Sequence, residues 1–113
     1  MARKGPEAIF QKDVIDLAHT LGWRVAHFRT SMNSRGHYMT AVAADGAGFP
    51  DLCMVRRGRI VFAELKAPDG SLSAKQKEWI DALVEAQATT DYTSTEVYVW
   101  KPKDLELIMK VLR

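Results

Sequence analysis

Apolar positions recur at helical spacing over residues 6–21, where Phe10, Val14, Leu17, Ala18 and Leu21 share one face of a 3.6-residue period. Pro6 suits the first turn of that helix and Gly22 its stop. Residues 23–28 then read as a strand. A polar stretch over residues 29–48, with Gly36, Gly46 and Gly48, predicts a long loop with one short extended piece at 38–42. Two apolar runs follow, Leu52-Cys53-Met54-Val55 and Ile60-Val61-Phe62-Ala63. They are separated by Arg56-Arg57-Gly58-Arg59, so the pair reads as a β-hairpin. Because both runs are apolar at consecutive positions, they predict a sheet buried on both faces.

After a turn at Ala67-Pro68-Asp69-Gly70, a helix is expected from Ser73 to about Gln87, with Trp79, Ile80, Leu83 and Val84 as its apolar face. Ser73 and Gln76 fit an S-x-x-Q capping box, in which each side chain satisfies a free backbone N–H at the helix start. Residues 96–100 form another strand. A last helix begins near Pro102, with Leu105, Ile108, Met109 and Leu112 expected inward. The order is helix, three strands, helix, strand, helix, an α/β arrangement whose strand–helix–strand part should be a parallel crossover.

The 113 residues suit one domain spanning 1–113. A chain that is 47% hydrophobic and 27% charged predicts a packed core rather than disorder. No apolar run approaches the roughly 20 residues that span a bilayer, and no hydrophobic segment follows the basic first residues, so neither membrane insertion nor secretion is expected. The one cysteine, Cys53, sits in an apolar run and reads as a small buried hydrophobe in a reducing compartment, the cytoplasm. A net charge of +2 says little about partners. Arg24, Arg29, Arg35, Arg56, Arg57 and Arg59 all lie in the first 60 residues, and that clustering fits a nucleic-acid surface and a solvated one equally.

The hairpin register locates the chemistry. With the turn centred between Arg57 and Gly58, Val55 faces Ile60, Cys53 faces Phe62 and Asp51 faces Glu64. Directly opposed residues on one face have Cβ atoms about 4.5–5.5 Å apart. Strand alternation sets Lys66 on the face of Glu64. Two opposed carboxylates beside apolar residues are costly unless something neutralises them, and a divalent cation would do so. Mg²⁺ binds through one or two carboxylates, keeping waters and taking phosphate oxygens from a substrate. Lys66 would then orient the attacking water or offset the charge that develops on the phosphate. The competing reading is a surface Glu64–Lys66 ion pair with Asp51 capping the turn after Pro50.

At these residues the chain resembles a known family. Pro50-Asp51, followed after twelve residues by Glu64-Leu65-Lys66, is similar to the PD-(D/E)XK nuclease motif. Three segments resemble its VRR-NUC branch, the virus-type replication and repair nucleases. They are Gly48-Phe49-Pro50-Asp51-Leu52, Ala63-Glu64-Leu65-Lys66 and Leu72-Ser73-Ala74-Lys75-Gln76-Lys77-Glu78-Trp79. The likeness runs from Glu7 to the final helix. It implies a restriction-endonuclease-like αβββαβ core, a central mixed sheet flanked by helices, with a C-terminal helix added.

The resemblance also implies that Asp51 and Glu64 bind metal, that the Leu65 carbonyl is often a third ligand, and that Lys66 is catalytic. Glu7 matches an acidic residue of the first helix that binds metal directly or through water. An acid complementing the helix dipole explains Glu7 equally well. Gln76 matches a glutamine near the site, although its capping role is complete without a catalytic one. The activity implied is Mg²⁺-dependent cleavage of DNA, with Mn²⁺ substituting. Branched or structured DNA such as Holliday junctions or flaps, a phage setting in a host cytoplasm and a homodimer are implied as well. The alternative is a catalytically inactive DNA-binding or assembly module with the same fold.

Other candidates are weaker. His19, His27 and His37 have no metal-binding spacing, but His27 and Arg29 share a strand face and, with Arg35, are placed to reach DNA. Trp23, Trp79 and Trp100 are expected in the core rather than as base-stacking platforms. No P-loop, dinucleotide glycine fingerprint or nucleophilic serine motif is present, so ATP and NAD are not expected.

Overall fold

A computed structural model describes residues 5–28, 31–32, 38–39 and 43–113. Helix α1 (Pro6–Thr20) carries Pro6 in its first turn and buries Phe10, Val14 and Ala18. Gly22, at φ +86°, turns the chain into β1 (Arg24–His27). Two short strands, β2 (Ser31–Met32) and β3 (Tyr38–Met39), form an antiparallel pair of their own. The extended piece expected at 38–42 is thus β3, paired back onto the stretch that was expected to be loop. Residues 40–42 lie outside the described residues. The hairpin follows as β4 (Leu52–Arg56) and β5 (Arg59–Leu65), then α2 (Ala74–Ala86), β6 (Ser94–Trp100), a 3₁₀ turn (Pro102–Asp104) and α3 (Leu105–Leu112).

The main sheet has the order β1-β4-β5-β6. The β1–β4 and β4–β5 pairs are antiparallel and β5–β6 is parallel, so the sheet is mixed and β5–α2–β6 is the expected crossover. The hairpin register is the one predicted: Val55 pairs with Ile60, Cys53 with Phe62 and Leu52 with Ala63. Arg57 and Gly58 both have positive φ (45° and 81°), the conformation of tight two-residue hairpin turns. A side chain at 58 would meet the Tyr92 carbonyl oxygen at 2.5 Å, so backbone contact as well as φ demands glycine.

Burial on the two faces differs from the expectation. One face, with Leu52, Met54, Val61, Ala63 and Leu65, is wholly buried against Phe10, Val14, Ala18, Trp23, Trp100, Ile108 and Leu112. The opposite face is covered only in part. Phe62 and Cys53 are half-buried there, and Val55 and Ile60, near the hairpin turn, stay 42% and 38% exposed. The physical reason is that α1 and α3 share one side while α2 stands alone on the other. Burial nevertheless pushes the Cys53 thiol pKa up. Helix faces are likewise narrower than periodicity implied. Ile108 and Leu112 are buried, but Leu105 and Met109 on their flank are exposed, and so is Val84 on α2.

Two of the clustered arginines close the hairpin end of the core. Arg56 and Arg59 lie against the Trp23 ring, 4.8 and 5.0 Å from its centroid. Arg56 Nη1 donates to the carbonyls of Leu21 and Leu112, both at 2.8 Å, and Trp23 Nε1 also donates to Leu112 O at 2.8 Å. Arg59 meets Glu96 with two parallel bonds of 2.7 Å. These guanidiniums are neither idle surface nor free for DNA. Arg56 caps orphan carbonyls at helix ends, Arg59 is held by Glu96, and both contribute cation–π attraction.

Candidate active site

The site forms where β5 runs on past the first residue of β4. Pro50 has no N–H to donate, and the β4 ladder begins only at Leu52. Along β5, Lys66 N donates toward β6, to Trp100 O at 2.9 Å. Leu65 N points the other way, toward a strand that has already ended. Asp51 Oδ2 takes this free donor at 2.9 Å. The bond fixes the Asp51 carboxylate beside β5, and the hairpin register extended by one residue sets it opposite Glu64.

Glu64 is 1% exposed, the one buried charged side chain among the described residues. Its carboxyl is pushed up to about 9, first of all by burial. The neighbouring Asp51 carboxylate, close enough to share a proton, contributes to that rise, as does the more distant charge of Glu7, while the Lys66 ammonium acts in the opposite direction. Gln76 Nε2 stands 3.5 Å from Glu64 Oε1. The second oxygen, Oε2, is buried without a hydrogen-bond partner among the described residues. A buried oxygen without a partner is costly, so this atom needs a proton or a cation. The donor set fits a hard divalent ion, with Asp51 and Glu64 as its carboxylates. Among the described residues no group of three or more His, Cys, Asp or Glu side chains gathers within metal-binding range, so these two stand as a pair.

The approach of α2 to this pair depends on Gly48. At φ +84°, a Cβ there would fall 2.6 Å from the Lys75 carbonyl carbon and 2.8 Å from Gln76 N, so the loop before Asp51 rests directly on the first turn of α2. Phe49 fixes the same contact from the next position. Its ring stacks on Trp79 (5.0 Å, 10°) and on Phe28 (5.4 Å, 20°), and meets Phe62 at 5.8 Å. Trp79 Nε1 also donates to Asp45 O at 2.9 Å. Trp79 is therefore half-buried against the site loop instead of lying in the core with Trp23 and Trp100.

A VRR-NUC domain model matches residues 33–99, more than half of the chain, and the match contains Asp51, Glu64, Lys66 and Gln76. The chain belongs to the VRR-NUC domain family. Membership gives it a nuclease-like fold of the PD-(D/E)XK superfamily, whose members generally use divalent metals. No curated protein and no solved structure matches the chain.

In this VRR-NUC domain the candidates divide clearly. Asp51, Glu64, the Leu65 backbone, the charge of Lys66 and the amide of Gln76 come together. Glu7, exposed on α1 and outside the matched residues, reaches Glu64 only through its charge. His27 is half-buried on β1 with Leu52 as its partner, so it shares the Leu52 face and not that of Asp51. Arg29 and Arg35 lie outside the described residues. Sequence reasoning missed the bond from Leu65 N to Asp51 and the Phe49 stack. The proline before Asp51 signals the first, and Gly48-Phe49 adjoining it signals the second.

Proposed function

We propose that this VRR-NUC domain is a divalent-metal-dependent endonuclease that hydrolyses DNA phosphodiester bonds, with branched or otherwise structured DNA as its substrate. The observation that carries the reading is Glu64 Oε2, buried beside Asp51 with no hydrogen-bond partner among the described residues. A surface Glu64–Lys66 ion pair would not leave a carboxylate oxygen buried in that state. Asp51 and Glu64 would hold Mg²⁺, or Mn²⁺ in its place, and the family resemblance adds the Leu65 carbonyl. When bound, such an ion acts as a Lewis acid on the phosphoryl oxygen and lowers the pKa of a coordinated water.

The chain's own residues do the rest. The Leu65 N–H holds Asp51 in one orientation, and the Gln76 amide does so for Glu64. Lys66, on the Glu64 face, offers N–H donors and a positive charge to the phosphate as negative charge builds on its oxygens. Water adds to phosphorus, one P–O ester bond breaks, and the departing oxygen takes a proton, leaving a phosphomonoester and a hydroxyl end. The structured-DNA part of the reading leans on the family alone.

Cleavage of a plasmid, a linear duplex and a four-way junction in Mg²⁺ or Mn²⁺ tests the reading, with Lys66→Ala beside the parent. Faster cleavage of the junction and loss of activity in the variant are expected. Equal activity in the two proteins removes Lys66 from the mechanism. No cleavage of any substrate makes the chain a binding or assembly module.

A further inference from the structure

The parallel pairing of β5 with β6 places a second lysine beside Lys66. Glu64 pairs with Val99 and Leu65 with Trp100, and the Lys66 N–H to Trp100 O bond carries the ladder one residue further. Lys101 is the next residue of β6 and is still extended (φ −119°, ψ 164°). Alternation therefore sets Lys101 on the face of Glu64 and Lys66, with Trp100 on the buried face. Neighbouring strands lie about 4.8 Å apart, so two lysines emerge side by side at the end of the sheet where the carboxylate pair sits.

Like charges opposed on adjacent strands are destabilising. Acidic groups stand nearby, with Asp51 and Glu64 at the same sheet end and Asp104 Oδ2 accepting the Lys101 N–H at 2.8 Å, but among the described residues none forms an ion pair with either ammonium. The ion pairs among the described residues are Lys12–Asp16, Arg59–Glu96 and Lys77–Asp81, and neither Lys66 nor Lys101 takes part in one. Lys101 Nζ donates to the Pro68 carbonyl at 3.3 Å, which uses one of its three donors and leaves two for another acceptor. Val99, on the same face, is exposed, so this end of the sheet is open. A polyanion laid across the site would remove the repulsion and use the spare donors.

We propose that Lys101 binds a backbone phosphate of the DNA beside the one engaged at Lys66. The inference rests on the nuclease reading above and extends it past residue 99, where the family match ends.

The test is fluorescence anisotropy with a labelled duplex and a labelled four-way junction, in Ca²⁺ and over a salt series, for the parent, Lys101→Gln, Lys101→Arg and Lys12→Gln. Loss of one phosphate contact should make the slope of log affinity against log salt shallower by about 0.9. At about 0.1 M salt it should weaken binding about eightfold. Lys101→Arg should restore both, and Lys12→Gln should change neither. If Lys101 only holds Pro68, affinity in Lys101→Gln falls with the slope unchanged, and the proposal is overturned. An unchanged slope and affinity in Lys101→Gln, where the parent binds and cleaves DNA, overturns it too, while leaving the nuclease reading intact. A parent that binds no DNA removes both.

Discussion

Gln76 meets Glu64 with only one end of its amide. Oε1 accepts the Ser73 N–H at 2.8 Å, closing the capping box that starts α2, and this leaves Nε2 directed at Glu64 Oε1, 3.5 Å away. The return bond, Gln76 N to Ser73 Oγ at 3.2 Å, fixes the helix start that aims it. The capping role and the site role are thus one geometry. Two substitutions separate them. Gln76→Ala loses both and should cost about 1 kcal/mol of stability. Gln76→Glu keeps a capping box but replaces the donor by a carboxylate, so thermal stability should stay above that of the alanine variant while cleavage drops roughly 10-fold or more. Parent-like cleavage by Gln76→Glu would reduce Gln76 to a cap.

Asp51→Asn should keep the fold, because an amide oxygen can still accept the Leu65 N–H. It should weaken Mn²⁺ binding measured by titration calorimetry by at least about tenfold. Without metal and above about pH 9, where Glu64 ionises, it should melt at a higher temperature than the parent, since the like-charge repulsion that appears there is relieved. An unchanged Mn²⁺ affinity would remove Asp51 from the ligand set.

The raised Glu64 pKa gives a pH dependence of definite sign. In metal-free protein the folded state keeps a proton, up to about 9, that the unfolded chain releases near 4.5. This contribution to stability is full below the unfolded value and is lost as pH rises through the folded one. Melting temperature in chelator should therefore fall as pH rises from near neutral to about 9. Mg²⁺, which competes with the proton, should flatten the profile. A flat profile in chelator would mean that Glu64 is already ionised without metal.

Glu96 titrates in the opposite sense. Arg59, followed by the Tyr98 and Ser94 hydroxyls, lowers its carboxyl to about 2 against the cost of burial, and Glu96 in turn helps burial to raise the Tyr98 phenol to about 12. This stabilisation is present above the unfolded value of 4.5 and is lost as pH falls toward 2. Glu96→Gln should cost about 2 kcal/mol near neutral pH and shrink the stability loss between pH 4.5 and 2, as read by urea unfolding. An unaltered acid profile in the variant would show that another carboxylate governs this window.

Local rules made the element order and the hairpin register legible. Arg57 and Gly58 fix the turn, and the pairing of Leu52 with Ala63 follows by counting. The Asp51–Glu64 juxtaposition was readable for that reason. What a pattern of residue types does not carry is the number of neighbours available to each face. Leu105 and Met109 satisfy helical periodicity yet find nothing to pack on, and Val55 and Ile60 lie beyond the cover of α2. Nor could Arg56 and Arg59 be told from DNA-binding arginines, since their partners Leu112 and Glu96 are far along the chain.

Gly48 joins the loop of Asp51 to the helix of Gln76 with no side chain between them. These two pieces are consequently a single transplantable part. A chimaera that took the hairpin from one nuclease and α2 from another would inherit both motifs intact and still misalign them. One that moved residues 48–79 as a block would carry the alignment along.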